Sequence, residues 1–261
     1  MAPSDRVGVP PRRHDLVHPR LRAGVLSWQR ASTTAQGHVS MHTIAVISQK
    51  GGAGKTTLSL HLAVAAEAAG FSTVLLDMDP QGTAEAWSEW RKEAPPVVIP
   101  AKTASLARTL EKVKSHGADL VVIDTPPLAE AEARSAAKIA DLVLVPCRPN
   151  AFDIHSIRTT ADLTRFAGKP AFVVFNAGPV AAARLYAETT EIVTELGLMV
   201  APIRVSERAT FRHSTGSGQS AQETEPNGKA AAEIKALWTW ACQQAGMTAR
   251  DRASTITGNA A

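Results

Sequence analysis

From residue 43 onward, short runs that are apolar throughout alternate with longer amphipathic stretches. Residues 43–48, 72–77, 96–99, 119–124, 142–145, 171–176 and 200–205 are the apolar runs, the pattern of strands buried on both faces. Between them, residues 58–67, 84–93, 105–115, 129–140, 154–167 and 181–196 repeat apolar positions at helical spacing. Residues 230–245 form a closing helix with Ile234, Leu237, Trp238, Ala241 and Ala245 on one stripe. Pro146 is expected to stop the strand at 142–145, and residues 212–229, rich in Ser, Gly, Thr and Gln, read as a loop. The alternation predicts an α/β fold, a mostly parallel twisted sheet with helices on both faces. Ligands of such sheets bind beyond the carboxyl ends of the strands. Residues 51–57, Asp77, Asp79, Asp124 and Asn176 all follow strand ends, so they are expected on one edge.

Length and charge refine the picture. A chain of 261 residues suits one α/β domain, and 44% hydrophobic with 20% charged residues is a globular composition. Residues 1–40 carry six arginines and two aspartates, so they account for the whole formal charge of +4. The remainder is neutral, and bulk charge gives the folded part no reason to bind nucleic acid. Scattered prolines and the absence of periodicity predict that 1–40 is a disordered extension, with 41–246 the folded domain and 247–261 a disordered tail. Met41 is a natural start for the compact part; the rival reading of 1–40 is a basic arm for DNA or an acidic partner. The two cysteines, Cys147 and Cys242, lie far apart, so local spacing supports neither a zinc nor an iron–sulfur site. No run of 18 apolar residues spans a membrane, and the N-terminus lacks the apolar stretch of a secretion signal.

The candidate chemistry begins at Gln49-Lys50-Gly51-Gly52-Ala53-Gly54-Lys55-Thr56-Thr57, placed between a strand and a helix. Glycines let backbone N–H groups turn inward around phosphate oxygens, and the following helix N-terminus favours anions. In a loop of this form Lys55 reaches the β- and γ-phosphates and the Thr56 hydroxyl completes a Mg²⁺ shell. The strict pattern has glycine at the first position; here it is Gln49, followed by a second lysine, Lys50. Residues 121–124 form an apolar strand ending in Asp124, placed to hold Mg²⁺ through water. Asp77 and Asp79 straddle another strand end, where a carboxylate orients the attacking water and helps hold Mg²⁺ through water. The two cysteines could form one disulfide, but a nucleotide-binding chain of this kind points to the reducing cytoplasm.

Lys50 to Thr57, Asp77-Met78-Asp79-Pro80-Gln81-Gly82 and Val122-Ile123-Asp124-Thr125-Pro126-Pro127 together resemble the deviant Walker A, A′ and B motifs of the ParA/MinD ATPases. The wording of the second and third is most similar to ParA-type partition proteins. The resemblance covers about residues 41–246, and is looser after Pro146. It implies a slow ATPase using ATP and Mg²⁺ that dimerises on ATP and binds DNA non-specifically. It also implies stimulation by a ParB-like centromere-binding adaptor, nucleoid association, and a role in plasmid or chromosome partition. Lys50 is implied to reach the phosphates of the other subunit, making Lys50, Lys55, Asp77 and Asp79 the catalytic set. Gly51, Gly52, Ala53, Gly54 and Thr57 complete the cradle, Asn176 and Pro202 lie near the base with residues 204–208, and Arg184, Arg204, Arg208, Arg212 and Lys229 are candidate DNA contacts. The alternative is a MinD-like ATPase acting at a membrane. That reading needs an amphipathic C-terminal helix, whereas residues 248–261 offer Arg250, Arg252 and one isoleucine, so no membrane partner is expected.

Overall fold

The computed structural model describes residues 40–92 and 94–247, with the side chains of residues 151, 152 and 155 left aside. The expectations for 1–39 and 248–261 therefore lie outside the described residues. Met247, assigned to the tail from sequence, belongs to the core: it is buried, and its N–H donates to the Cys242 carbonyl at 2.9 Å.

Strands β1 (His42–Val46), β2 (Thr73–Asp77), β3 (Val97–Pro100), β4 (Leu120–Asp124), β5 (Leu142–Cys147), β6 (Ala171–Gly178), β7 (Met199–Val200) and β8 (Val205–Ser206) run parallel. Their order is β3-β2-β4-β1-β5-β6-β7, with β8 also on β6. The connecting helices are α1 (Lys55–Ala68), α2 (Thr83–Trp90), α3 (Leu106–Ser115), α4 (Glu130–Ile139), α5 (Ala151–Ala167) and α6 (Ala183–Glu195). Helices α7 (Ala209–Gly216), α8 (Ala221–Thr224) and α9 (Lys229–Gln244) follow the last strand. Alternate residues explain the unbroken apolar strands. Ile44, Val46, Leu120, Val122, Leu142, Leu144, Phe172 and Val174 join one cluster with α1 and α9, while Ala45, Val121, Ile123, Val143 and Val145 are buried on the opposite face.

Three local expectations change. β5 runs through Pro146 instead of stopping before it, and Pro146 pairs with Val174 of β6. Val143 donates its N–H toward β6, so by alternation the N–H that Pro146 lacks would face β1. Pairing with β1 has already ended at Leu144, and no ladder bond is lost. The single strand expected at 200–205 is two short ones, broken around the exposed Pro202, and they share one edge of β6. The loop expected at 212–229 contains most of α7 and all of α8.

Long-range contacts hold that last segment where composition alone suggests a loop. Arg91, whose side chain is only 4% exposed, makes a double hydrogen bond to Glu223 at 2.8 and 2.9 Å and donates to the Gly218 carbonyl at 3.0 Å. Its guanidinium lies 4.5 Å over the ring of the buried Trp87, whose indole N–H donates to Gln219. Trp87 and Trp238 are core residues, while Trp90 is exposed. Gly218 has φ +72°, and a Cβ there would come within 2.6 Å of the Trp90 carbonyl carbon. Gly218→Ala is expected to lower stability by about 2–3 kcal/mol in urea denaturation, from backbone strain plus a contact that cannot move aside. An unchanged midpoint would show that the 217–220 turn is not set by this approach.

Candidate nucleotide site

The turn after β1 leads directly into α1. Gly54, at φ +87°, is the residue before the helix, and α1 has no side-chain cap at its N-terminus. The first N–H groups of a helix without a cap are open to an anion, and the helix dipole favours one there. Lys55 folds back over the loop, its Nζ donating to the Lys50 carbonyl at 3.2 Å. Burial pulls the Lys55 pKa down, opposed by the charges of Asp124 and Asp79, which places both carboxylates within electrostatic reach of the ammonium. Gln49 is buried, and its carbonyl accepts the Leu128 N–H at 3.2 Å, tying the loop after β4 to the phosphate loop.

β4 delivers Asp124 to the same point. The Thr56 hydroxyl donates to Asp124 Oδ2 at 2.6 Å, and the Ser59 hydroxyl reaches Oδ1 at 3.2 Å as well as the Lys55 carbonyl at 2.9 Å. Asp124 is fully buried, and loss of water pushes its pKa up to about 7 against these hydrogen bonds and Lys55. Ser59 was not singled out from sequence. It stands one turn beyond Lys55 and three residues after Thr56, so helical spacing was the available signal.

The two aspartates of β2 and its following turn, alike in sequence, differ in structure. Asp77 is buried and accepts three backbone N–H groups, from Asp79 at 3.0 Å, Ala84 at 3.0 Å and Glu85 at 3.2 Å. It therefore caps α2 from the end of β2, and burial raises its pKa against those three bonds. Asp79 is half-buried, with Oδ1 accepting the Gln81 N–H at 2.9 Å. Of the two, Asp79 is the more accessible.

Lys50 is half-buried on the loop, and its ammonium has no hydrogen bond or ion pair among the described residues. Beside it Gly51 lies against Pro127, and Leu128 stands 84% exposed with φ +54°. Asn176, at the end of β6, is buried and donates to the Ala53 carbonyl at 2.7 Å. The five candidate DNA contacts are largely engaged within the chain. Arg184 pairs with Glu188 at 2.7 Å, Arg208 with Glu233 at 2.5 Å and Arg212 with Glu207 at 3.8 Å. Arg204 lies 4.4 Å over the Tyr186 ring, and Lys229 borders a cleft of about 380 Å³ with Glu207, Arg208 and Glu225.

The oxygen donors suit a hard cation. A threonine hydroxyl and a carboxylate meet at the mouth of a phosphate loop, and Mg²⁺ takes few protein ligands of this kind while keeping several waters. A nearby cation would also return Asp124 to its charged form. Among the described residues no helix is long and apolar enough to cross a membrane.

The profile of the CobQ/CobB/MinD/ParA nucleotide binding domain matches residues 44–221. Maintenance of carboxysome distribution protein A from Halothiobacillus neapolitanus is 28% identical over 200 residues, which is 73% of this chain and 91% of that protein. Protein ParA from Rhizobium radiobacter is 31% identical over 115 residues, 43% of this chain and 51% of that one. Among solved structures, the septum site-determining protein MinD from Pyrococcus horikoshii, complexed with Mg-ADP, superposes with a TM-score of 0.63 at 17% identity. That superposition covers 80% of this chain and 98% of the other, and it extends the likeness of fold to nearly the whole described domain.

Proposed function

Since the chain belongs to the CobQ/CobB/MinD/ParA nucleotide-binding family, we propose that it is a slow ATPase that works as a switch, dimerising on ATP and reset when a partner stimulates hydrolysis. The observation that carries this reading is the 2.6 Å bond from Thr56 to Asp124, which sets the phosphate loop against the carboxylate of β4. In this reading Lys55 and the N–H groups of residues 51–54 bind the phosphates. Thr56 directly, and Asp124 and Asp79 through water, would hold Mg²⁺, which would supply positive charge against the negative charge of the phosphates. Asp79 orients the attacking water, and Asp77 supports it indirectly, by holding the Asp79 backbone and the start of α2. No covalent intermediate is needed, because positioning and charge supply the catalysis in phosphoryl transfer of this type.

Lys50 is the residue that makes the reading a switch. Its ammonium is unengaged among the described residues, which leaves it available to approach the phosphates held by a second copy, with the exposed Leu128 adding apolar surface at the same mouth. Lys50→Ala is expected to retain nucleotide binding while the ATP-dependent dimer weakens about 5–150-fold, read by sedimentation velocity with ATP and with ADP. Dimerisation equal to that of the parent chain would remove Lys50 from this role.

For the cargo, we favour DNA partition with a centromere-binding adaptor, supported by the similarity to ParA. A protein body is the second reading, favoured by the carboxysome-distribution relative of which this chain covers 91%. Gel shifts with random-sequence DNA separate the two. Partition expects an ATP-dependent shift at low salt that fades steeply as salt rises, and no shift at any salt would leave the protein cargo.

A further inference from the structure

Asn176 sits where β6 departs from regular pairing. The register against β8 shifts between Asn176 and Gly178, and the intervening Ala177 is left-handed at φ +49°, a conformation that costs energy for any residue with a side chain. That irregularity coincides with a carboxamide aimed across the site: buried, Asn176 donates from Nδ2 to the Ala53 carbonyl at 2.7 Å. It also fills the space that Gly54 leaves open, since a Cβ on Gly54 would fall 2.2 Å from the same nitrogen.

Peptide planarity turns this contact into control of the cradle. The carbonyl of residue 53 and the N–H of residue 54 belong to one rigid plane and point in opposite directions. Holding the carbonyl of Ala53 toward β6 therefore directs the Gly54 N–H away from β6, into the loop. We propose, resting on the nucleotide-site reading above, that Asn176 is a positioning residue for the phosphate cradle, fixing the Ala53–Gly54 peptide for any polyphosphate whatever base it carries. A role at the base predicts discrimination between bases; a role at this peptide predicts none.

The test measures binding of Mg-ATP and of inorganic tripolyphosphate to the full chain by titration calorimetry, for the parent, Asn176→Ala and Asn176→Asp. Asn176→Ala leaves a buried carbonyl unpaired and frees the peptide, and both ligands are expected to weaken by about tenfold or more, in the same ratio. Asn176→Asp replaces the donor with a repelling carboxylate and is expected to weaken both further. A purely structural role would lower the thermal midpoint yet leave the affinities of the folded protein unchanged, and that result overturns the proposal. So does a loss confined to ATP with tripolyphosphate unaffected, the signature of a base contact. Failure of the parent chain to bind either ligand would instead strike the nucleotide-site reading on which the proposal rests.

Discussion

Asp124→Asn is expected to give a chain that resists urea better than its parent at pH 8 but hydrolyses ATP about 10–100-fold more slowly, the scale of losing an outer-sphere metal partner. The stability gain follows from the raised pKa. Burial pushes the Asp124 carboxyl up to about 7 in the fold, from the ordinary 3.8, so between these values the folded chain binds a proton that the unfolded chain has released. Stability of the nucleotide-free protein therefore falls as pH rises from about 4 to about 7 and stays low above it. Glu67, raised to about 7 by burial, adds a slope of the same sign. Asparagine removes the cost of burying the charge, on the order of 2–4 kcal/mol at pH 8. It also keeps the local bonds: its carbonyl accepts from Thr56, and its amide donates to Ser59, whose own proton stays on Lys55. Urea melts of both chains at pH 5 and pH 8 check this, and the difference between the chains should shrink at pH 5. A variant less stable than its parent at pH 8 would mean that Asp124 is charged and well paired without nucleotide.

The second large effect is expected at Gly54. Alanine there meets two penalties, a left-handed backbone at φ +87° and a Cβ 2.2 Å from the Asn176 amide. Asn176 can retreat only by giving up its bond to Ala53, so relief of the clash releases the peptide it holds. Gly54→Ala is expected to cost about 2–4 kcal/mol in stability and to weaken ATP binding by more than about 100-fold, because the N–H at the start of α1 no longer faces the loop. A urea melt and a titration with ATP measure the two losses separately. Binding at the parent's affinity would show that this N–H does not contact phosphate.

What could be read in the sequence was local. The glycine-rich turn, the apolar strand ending in Asp124 and the pair Asp77 and Asp79 are each contiguous, so strand ends and turn residues locate them without tertiary information. The division of labour between Asp77 and Asp79 was not legible, because it depends on the N–H groups of Ala84 and Glu85 arriving from α2. Pro146 misled for a related reason: its effect depends on which neighbouring strand continues, and β1 has already left the ladder. The region from Arg212 to Lys229 read as loop because Ser, Gly and Thr have weak helical preference. Arg91, well over a hundred residues earlier, supplies the contacts that decide otherwise.

α9 packs beside α1 on the same face of the sheet, with Trp238 edge-on to Phe71 at 5.5 Å, Trp240 edge-on to Phe172 of β6 at 4.8 Å, and Ile234, Leu237 and Ala241 in the cluster that also holds Leu58 and Leu62. During synthesis the phosphate-loop helix emerges early, while its neighbour on that face comes from the last helix described. Until that helix leaves the ribosome, α1 carries an uncovered apolar flank, the kind of surface that chaperones engage. Nucleotide competence should thus be acquired in one late step of biogenesis, and a nascent chain still short of α9 has little scope to enter the cycle prematurely.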